Sequence, residues 1–187
     1  MRKELKNNAN VTPLPVLMIA TYNEDGTPNV MNAAWGTQYS TDMVMITLSS
    51  HKTTDNLKAR GAFTLSFATR KTVVESDYFG IVSGKKEVNK VAKANFHAVK
   101  STHVDAPLIE EYPLTLECVV DKLEDDGPDA FMLFGKVISV SADESILTDG
   151  KVDMDKLEPI AFCPFDNTYR VVREVAGAAF RCGLALK

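Results

Sequence analysis

Apolar and polar residues alternate along several short stretches of this chain. The alternation is regular over residues 44–49, 63–68 and 114–120. A period of two is typical of a β-strand that buries one face in a core. The pattern therefore favours a fold built mainly from antiparallel strands.

Turn residues between apolar runs predict two hairpins. Residues 15–21 run into Asn23-Glu24-Asp25-Gly26, and residues 30–39 are predicted to return as the second arm. Later, residues 124–129 read as a polar loop that cannot extend the strand before it. Residues 131–140 then return and are apolar on both faces near their start. Burial of both faces indicates either a central barrel strand or a subunit contact.

Helices are predicted to be few and short. Thr53 or Thr54 can cap a helix that runs to Arg60, with Gly61 just beyond its end. A second helix is expected from the capping-box spacing of Thr72 and Glu75. Its expected end is Gly80. The lysine-rich stretch 83–100 is weakly periodic, and we expect a partly helical excursion there.

These elements predict one mostly-β domain over residues 1–187, most easily closed as an antiparallel β-barrel with short helical insertions. The chain contains 21 Lys and Arg against 25 Asp and Glu, a formal net charge of -4. A mildly acidic chain has no general attraction to nucleic acid or anionic membranes, so neither is an expected partner. The polar N-terminal segment lacks the apolar stretch of a signal peptide, which predicts a cytoplasmic protein.

The first candidate binding segment joins a predicted strand to a predicted helix. Helix-start amides have no partner within the helix, and the helix dipole adds partial positive charge. Hydroxyl groups and the Lys52 ammonium would complete a phosphate cradle. The alternative is an ordinary helix cap with Lys52 in solvent. The residues of this segment predicted to bind are Ser49, Ser50, His51, Lys52 and Thr53.

The second candidate segment combines small residues with one large aromatic residue. Small residues let a flat ligand approach the backbone closely, and a tryptophan offers a wide apolar surface. The alternative is a core strand with its tryptophan packed inside. The residues of this segment predicted to bind are Asn32, Ala33, Ala34, Trp35 and Gly36.

The third candidate segment covers residues 77–85, in which an aromatic pair precedes a glycine-containing loop. Ser83 and Gly84 are expected to lie over a ligand, with Lys90 a little further along the chain. The alternative is a helix end and a surface turn.

Signatures of other chemistries do not occur in the sequence. The three histidines and three cysteines lack metal-ligand spacing, so no metal site is predicted. The motifs of serine hydrolases, P-loop NTPases and Rossmann dehydrogenases are missing as well. The sequence identifies no catalytic residue.

Taken in order, the three segments resemble the flavin reductase-like family, and most of all its flavoredoxin branch. The resemblance rests on residues 29–36, on Ser50-His51-Lys52-Thr53 with Asn56-Leu57, and on Tyr78-Phe79-Gly80 with Ser83-Gly84. Near the end it includes Gly135-Lys136-Val137 and the tail from Gly177 to Gly183.

This resemblance implies that the mostly-β domain is an FMN-binding, antiparallel split β-barrel of Greek-key type with short helical insertions, and that it works as a homodimer. Residues 32–35 would line the isoalloxazine ring, residues 49–53 would hold the ribityl chain and phosphate, and Ser83-Gly84 would close over the ring. A cation near flavin N1 and O2 would come from His51, Lys52 or Lys90. Most of the chemistry would belong to the flavin, which explains the absence of a catalytic triad.

Three functions are compatible with that resemblance. The first is an enzyme that uses NADH or NADPH to reduce FMN or a small acceptor. The second is an electron carrier that exchanges electrons with a protein donor. The third is a split-barrel protein for another phosphate-bearing ligand, such as a pyridoxal derivative or a haem-related compound.

Overall fold

The computed structural model describes residues 1–4 and 11–187. Residues 5–10, part of the polar N-terminal segment considered above, lie outside the described residues. The strands are β1 Leu14–Pro15, β2 Leu17–Tyr22, β3 Pro28–Ala33, β4 Gly36–Ser40, β5 Met43–Ser49, β6 Ala62–Phe67, β7 Ala98–Lys100, β8 Pro107–Ile109, β9 Leu114–Asp125, β10 Ala130–Ala142, β11 Leu147–Thr148, β12 Lys151–Val152, β13 Ile160–Cys163 and β14 Thr168–Val171. The α-helices are α1 Lys52–Arg60, α2 Val73–Ile81, α3 Lys90–Lys93 and α4 Met154–Leu157, and short 3-10 helices cover Arg70–Thr72, Glu144–Ile146 and Cys182–Leu186.

A seven-stranded antiparallel sheet forms the centre of the fold. Its strand order is β3-β2-β6-β9-β10-β5-β4. The consecutive strands β3 and β4 are therefore the two ends of the sheet, although only Ala34 and Trp35 separate them. This short link requires the sheet to curl until its ends approach each other. A Cβ added at Gly36 would lie within 3.2 Å of both Leu17 on β2 and Ile46 on β5, strands from opposite halves of the sheet.

This arrangement confirms the predicted mostly-β, antiparallel fold and the hairpin at residues 23–26. The predicted second arm over residues 30–39 is wrong in one respect, because the chain breaks at Ala34-Trp35 and crosses between the two ends of the sheet. Among the described residues no hydrogen-bonded pairing joins β3 to β4, so the curled sheet stays open at this seam. β10 lies between β9 and β5, which agrees with the first of the two alternatives that its apolar faces indicated, a central strand.

Two apolar clusters occupy the two sides of the sheet. One gathers inward side chains from six strands and from Leu57 of α1, with Ile19, Ile46 and Leu133 fully buried. The other packs α2 and α3 against the opposite side through Phe79 and Val91. Strand β6 is buried on both faces, since Phe63 and Leu65 belong to the first cluster and Ala62 packs on Val104 and Ala106. The expectation of one exposed face over residues 63–68 is therefore wrong.

Helix α1 is capped two to three residues earlier than the predicted caps, Thr53 and Thr54. Its N-cap is His51, whose backbone N–H donates to the Thr54 hydroxyl at 3.4 Å. Thr54 in turn donates to the Ser49 carbonyl at 2.7 Å, which fixes the turn between β5 and the helix. At the other end Gly61 has a φ of 65°, the left-handed conformation expected of a glycine that ends a helix.

Helix α2 departs from the sequence prediction at its end. Gly80 lies inside the helix, which continues to Ile81, so the predicted stop at Gly80 is wrong. The glycine is needed for packing instead, since a Cβ there would lie 3.2 Å from the Cβ of Asn32 on β3. The stretch 83–100 contains the short helix α3 and strand β7, which confirms the expected partly helical excursion. None of the helices in the described part of the chain has the length and apolarity needed to cross a membrane.

Candidate functional site

A cleft of about 520 Å³ opens where the β3–β4 link, the start of α1, the end of α2 and the β13–β14 hairpin meet. Its volume lies within the range of small-molecule and cofactor sites. All three candidate segments contribute to its wall. The predicted binding residues that line it are Asn32, Ala33, Ala34, Trp35, Ser49, His51, Lys52, Thr53, Ser83, Gly84 and Lys90.

Two predicted residues do not line the cleft. Gly36 faces the seam of the sheet, where it makes room for Leu17 and Ile46. Ser50 is exposed, and its backbone N–H donates to the Asp129 carbonyl at 3.2 Å, which ties β5 to the β9–β10 hairpin. Gly36 and Ser50 therefore have structural roles beside the cleft.

One end of the cleft is formed by the first turn of α1. Thr53 is buried, and its hydroxyl oxygen accepts from the Asn29 side-chain amide at 2.9 Å. This bond leaves the hydroxyl proton of Thr53 available to a ligand. Lys52 is half-buried in the same turn, and His51 is exposed beside it. The free helix-start amides and the Lys52 ammonium give this end of the cleft a positive character.

The Ser83-Gly84 segment is held directly against α1. A Cβ added at Gly84 would lie 2.3 Å from the Asn29 side-chain oxygen and 3.3 Å from the Lys52 Cβ. Only a glycine fits so close an approach. The neighbouring Lys85 forms an ion pair with Asp55 of α1, at 3.1 Å. The Asn29 side chain thus contacts both the helix start and the loop that covers it.

The other end of the cleft is formed by the β3–β4 link. Trp35 is 67% exposed at the mouth, so the alternative of a tryptophan packed inside the core is wrong. Its carbonyl accepts from the Thr47 N–H at 2.8 Å, which fixes the link against β5. Asn32 donates to the Ser76 carbonyl of α2 at 3.0 Å. The small side chains of Ala33 and Ala34 leave the wall between these anchors flat.

Lys90 is a buried cation in the wall of the cleft. Its ammonium group donates to the carbonyls of Val82, at 3.1 Å, and Phe79, at 3.4 Å, at the end of α2. Burial lowers the pKa of Lys90 to about 8. An ammonium has three donors, and the two carbonyls account for two of them.

A group of lining residues that the sequence did not predict comes from the far end of the chain. Phe162 and Tyr169, on β13 and β14, line the cleft with their rings 5.9 Å apart. The Tyr169 hydroxyl donates to Asp77 of α2 at 2.8 Å. Burial and this contact with Asp77 raise the pKa of Tyr169 to about 12. Asp77 lies in the third candidate segment, residues 77–85. No pattern in the sequence predicts that it contacts Tyr169.

The arrangement can accommodate an elongated ligand with an anionic group at one end and a flat aromatic group at the other. Hydroxyls, helix amides and Lys52 lie at the anionic end. Aromatic side chains and backbone groups of the β3–β4 link lie at the other end, where the mouth opens to solvent. An aromatic group held there would be accessible to a second reactant.

Comparisons with known proteins show the family and the fold of this chain. Residues 9–158 match the family described as flavin reductase like domain. The structure is similar to flavoredoxin of Desulfovibrio vulgaris (Miyazaki F), with 33% identity and a TM-score of 0.91 over 98% of this chain and 100% of that one. It is similar to flavoredoxin from Methanosarcina acetivorans, with 29% identity and a TM-score of 0.88 over all of both chains. Nitrilotriacetate monooxygenase component B from Bacillus cereus shares the fold at 15% identity, with a TM-score of 0.81 over 95% of this chain and 100% of that one.

Proposed function

This chain belongs to the flavin reductase-like domain family, and on that basis we propose that it is an oxidoreductase that binds FMN in the cleft described above. The observation that carries the proposal is the convergence of three separate segments on one cleft, with positive character at one end and aromatic residues at the other. Those are the chemical requirements of a flavin that carries a phosphate.

The first turn of α1 fits the phosphate. We propose that the helix-start amides, the Thr53 hydroxyl and the Lys52 ammonium hold it. A helix N-terminus stabilises negative charge, and a lysine adds a charge-assisted hydrogen bond. Ser49 and His51 line the same end and would border the ribityl chain.

The β3–β4 link fits the ring system. We propose that residues 32–35 line one side of the isoalloxazine and that Ser83-Gly84 covers it from the α1 side. The small residues Ala33 and Ala34 allow a close approach, and backbone groups there can meet the polar edge of the ring. Lys90 is the buried cation of this wall.

A bound flavin supplies the hydride and electron chemistry. The protein's own residues bind and orient it, and they leave the mouth near Trp35 open for a second reactant. Because no protein nucleophile is needed, the absence of a catalytic triad agrees with this function.

We propose NADH or NADPH as the electron donor. The test is anaerobic addition of each nucleotide to the FMN-loaded protein, with bleaching of the flavin absorbance as the measurement. Rapid bleaching supports a nicotinamide-dependent oxidoreductase. Negligible bleaching by both nucleotides contradicts it.

A second candidate function is an electron carrier, favoured by the likeness, over 98% of this chain and 100% of the other, to a protein named flavoredoxin. Under this alternative a reduced ferredoxin-type protein reduces the flavin quickly, whereas nicotinamide does not. The same anaerobic experiment with both donors separates the two functions. For either function we propose a homodimer as the working form.

A further inference from the structure

Two polar residues in the wall of the cleft, Asp77 and Tyr169, have no part in the phosphate and ring contacts proposed above. They join elements that are distant in the chain, since the Tyr169 hydroxyl on β14 donates to Asp77 on α2 at 2.8 Å. The Asn32 side chain on β3 lies beside the same hydroxyl and donates to the Ser76 carbonyl of α2 at 3.0 Å. Asp77, Tyr169 and Asn32 all line the cleft. The pair is therefore located at the end of the cleft assigned to the flavin ring.

Asp77 is the one acidic side chain among the described residues that line the cleft. It is half-buried, and no lysine, arginine or histidine forms an ion pair with it in the part of the chain that the structure describes. The Tyr169 hydroxyl occupies one acceptor position, whereas a carboxylate offers about four. The remaining acceptor capacity of Asp77 is available to a molecule in the cleft.

The cations that line the cleft have other partners. Lys52 lies at the start of α1, where the proposed function uses it to hold the phosphate. The Lys90 ammonium donates to the carbonyls of Phe79 and Val82, and the side chain is buried, so a reactant that enters from the mouth does not contact it. Charges that are partly buried are screened less than charges in open solvent. Asp77 therefore adds an uncompensated negative charge to this side of the cleft.

Tyr169 fixes the position of this carboxylate. Tyr169 lies opposite Phe162 in the β13–β14 hairpin, and their ring centroids are 5.9 Å apart. Burial and the contact with Asp77 raise the pKa of Tyr169 to about 12, so its hydroxyl keeps its proton at neutral pH and remains a donor. The hairpin thus supplies both an aromatic wall and the hydrogen bond that positions Asp77.

We propose that Asp77, positioned by Tyr169, selects by charge the small molecules that exchange electrons with the bound flavin. A reactant that is cationic or donates N–H hydrogen bonds at the end that enters the cleft is favoured. A reactant that is anionic at that end is repelled, since like charges suppress encounter and unpaired charges disfavour binding. The inference rests on the proposed binding of FMN in the cleft, and it concerns the reactant rather than the cofactor.

Two metal complexes of opposite charge test this selection. The FMN-loaded protein is photoreduced without oxygen and mixed in a stopped-flow instrument with hexaammineruthenium(III), a cation, or with ferricyanide, an anion. The two electrons of one reduced FMN pass to two complexes, and its protons pass to water. The measured quantity is the ratio of the rate constants for the cation and the anion. A change in flavin potential alters both rate constants in the same direction, so the ratio reports mainly the charge of the cleft.

Asp77→Asn removes the charge and keeps an acceptor for Tyr169. The ratio should fall by at least about tenfold at low salt, and the difference from wild type should shrink as salt screens the charge. Glu75→Gln removes the same charge from α2 two positions earlier, where the side chain does not face Asp77, and is the matched control. Its ratio should stay within about twofold of wild type. Equal ratios for the two variants would overturn the proposal.

Tyr169→Phe tests the positioning role, because it keeps the aromatic ring and leaves Asp77 in place. Without the hydroxyl donor the carboxylate is no longer fixed, so the ratio should lie between those of wild type and Asp77→Asn. A wild-type ratio in Tyr169→Phe would overturn the role of Tyr169, and it would decide against the proposal if Asp77→Asn does not fold. Flavin content is measured on the same samples. A wild-type protein that takes up no FMN overturns the proposed function, whereas yellow variants with an unchanged ratio overturn only the selection by Asp77.

Discussion

At the scale of single residues, the contacts of Lys52 and Lys90 distinguish two cations that look alike in the sequence. Lys52 lies half-buried at the start of α1, where no salt bridge is found for it among the described residues. Lys90 is 2% exposed and donates to two carbonyls at the end of α2. Lys52 is therefore placed to bind an anion, and Lys90 stabilises the wall of the cleft.

Replacing Lys52 with alanine should weaken FMN binding by roughly 10- to 100-fold. A charge-assisted hydrogen bond to a partly buried anion is lost, which costs about 1.5–3 kcal/mol. Fluorescence titration of the apoprotein with FMN measures the effect, at low and at moderate salt. Lys86→Ala removes an exposed lysine near the same loop and is the control. Equal affinities for the two variants would make Lys52 an ordinary surface lysine.

Lys90 should make stability depend on pH in the alkaline range. Burial lowers its pKa from 10.5 to about 8 in the folded protein, so between these values the unfolded chain binds more protons than the folded one. Stability from this group therefore rises with pH between about 8 and 10.5, and the gain is lost as pH falls through 8. The difference in free energy of unfolding between wild type and Lys90→Met should rise by no more than about 1.4 kcal/mol per pH unit across this window. Denaturant unfolding of the flavin-free proteins measures this difference. A difference in free energy of unfolding that does not change with pH would mean that Lys90 is solvated.

At the scale of elements, the cleft depends on how closely the Ser83-Gly84 loop approaches α1. In Gly84→Ala the new methyl group would lie 2.3 Å from the Asn29 side-chain oxygen, so the loop or Asn29 must move. Overpacking of this kind costs about 1–3 kcal/mol. We expect FMN to bind roughly tenfold more weakly or worse in the same titration. Gly183→Ala adds a methyl group with no atom within 4 Å and should bind FMN like wild type.

Elements that are set by neighbouring residues could be predicted from the sequence, whereas those that depend on residues distant in the chain could not. The alternation over β5 was predictable because each side chain there faces either the core or solvent. The burial of both faces of β6 was not, because residues distant in the chain cover its second face. Ala62 packs against Val104 and Ala106, and the Thr64 hydroxyl donates to the Pro107 carbonyl at 2.7 Å. In the same way Ser49 to Thr53 could be recognised as a helix start, whereas the pairing of Asp77 with Tyr169 spans 92 positions and has no local signal.

At the scale of the whole molecule, the curled sheet brings the three binding segments together. The interior of the curled sheet is tightly packed at Gly135 on β10. A Cβ added there would lie 2.3 Å from the Phe63 ring. Phe63 is fully buried and cannot swing into solvent. Gly135→Ala should therefore lower the free energy of unfolding by about 1–3 kcal/mol. Thermal or denaturant unfolding measures the loss, and the exposed neighbour substitution Lys136→Ala should change stability little. Unchanged stability in Gly135→Ala would mean that the sheet opens more easily than its packing indicates.

The order of the segments along the chain could be predicted from the sequence, and their convergence could not. Residues 32–35 and 49–53 were recognisable as candidates, yet only the crossing from β3 to β4 at Ala34-Trp35 places them on one cleft. That crossing replaced a predicted continuous arm. It also explains why Gly36, expected to touch a ligand, serves the seam of the sheet.

The identity of the bound cofactor is the most direct test of the proposed FMN site. The purified protein is denatured and the released small molecule is identified by mass spectrometry, and the apoprotein is then titrated with FMN. We predict a yellow protein that releases FMN and an apoprotein that takes up one FMN per chain. A colourless protein that stays colourless after FMN is added, or the release of a different phosphate-bearing compound, would contradict the assignment.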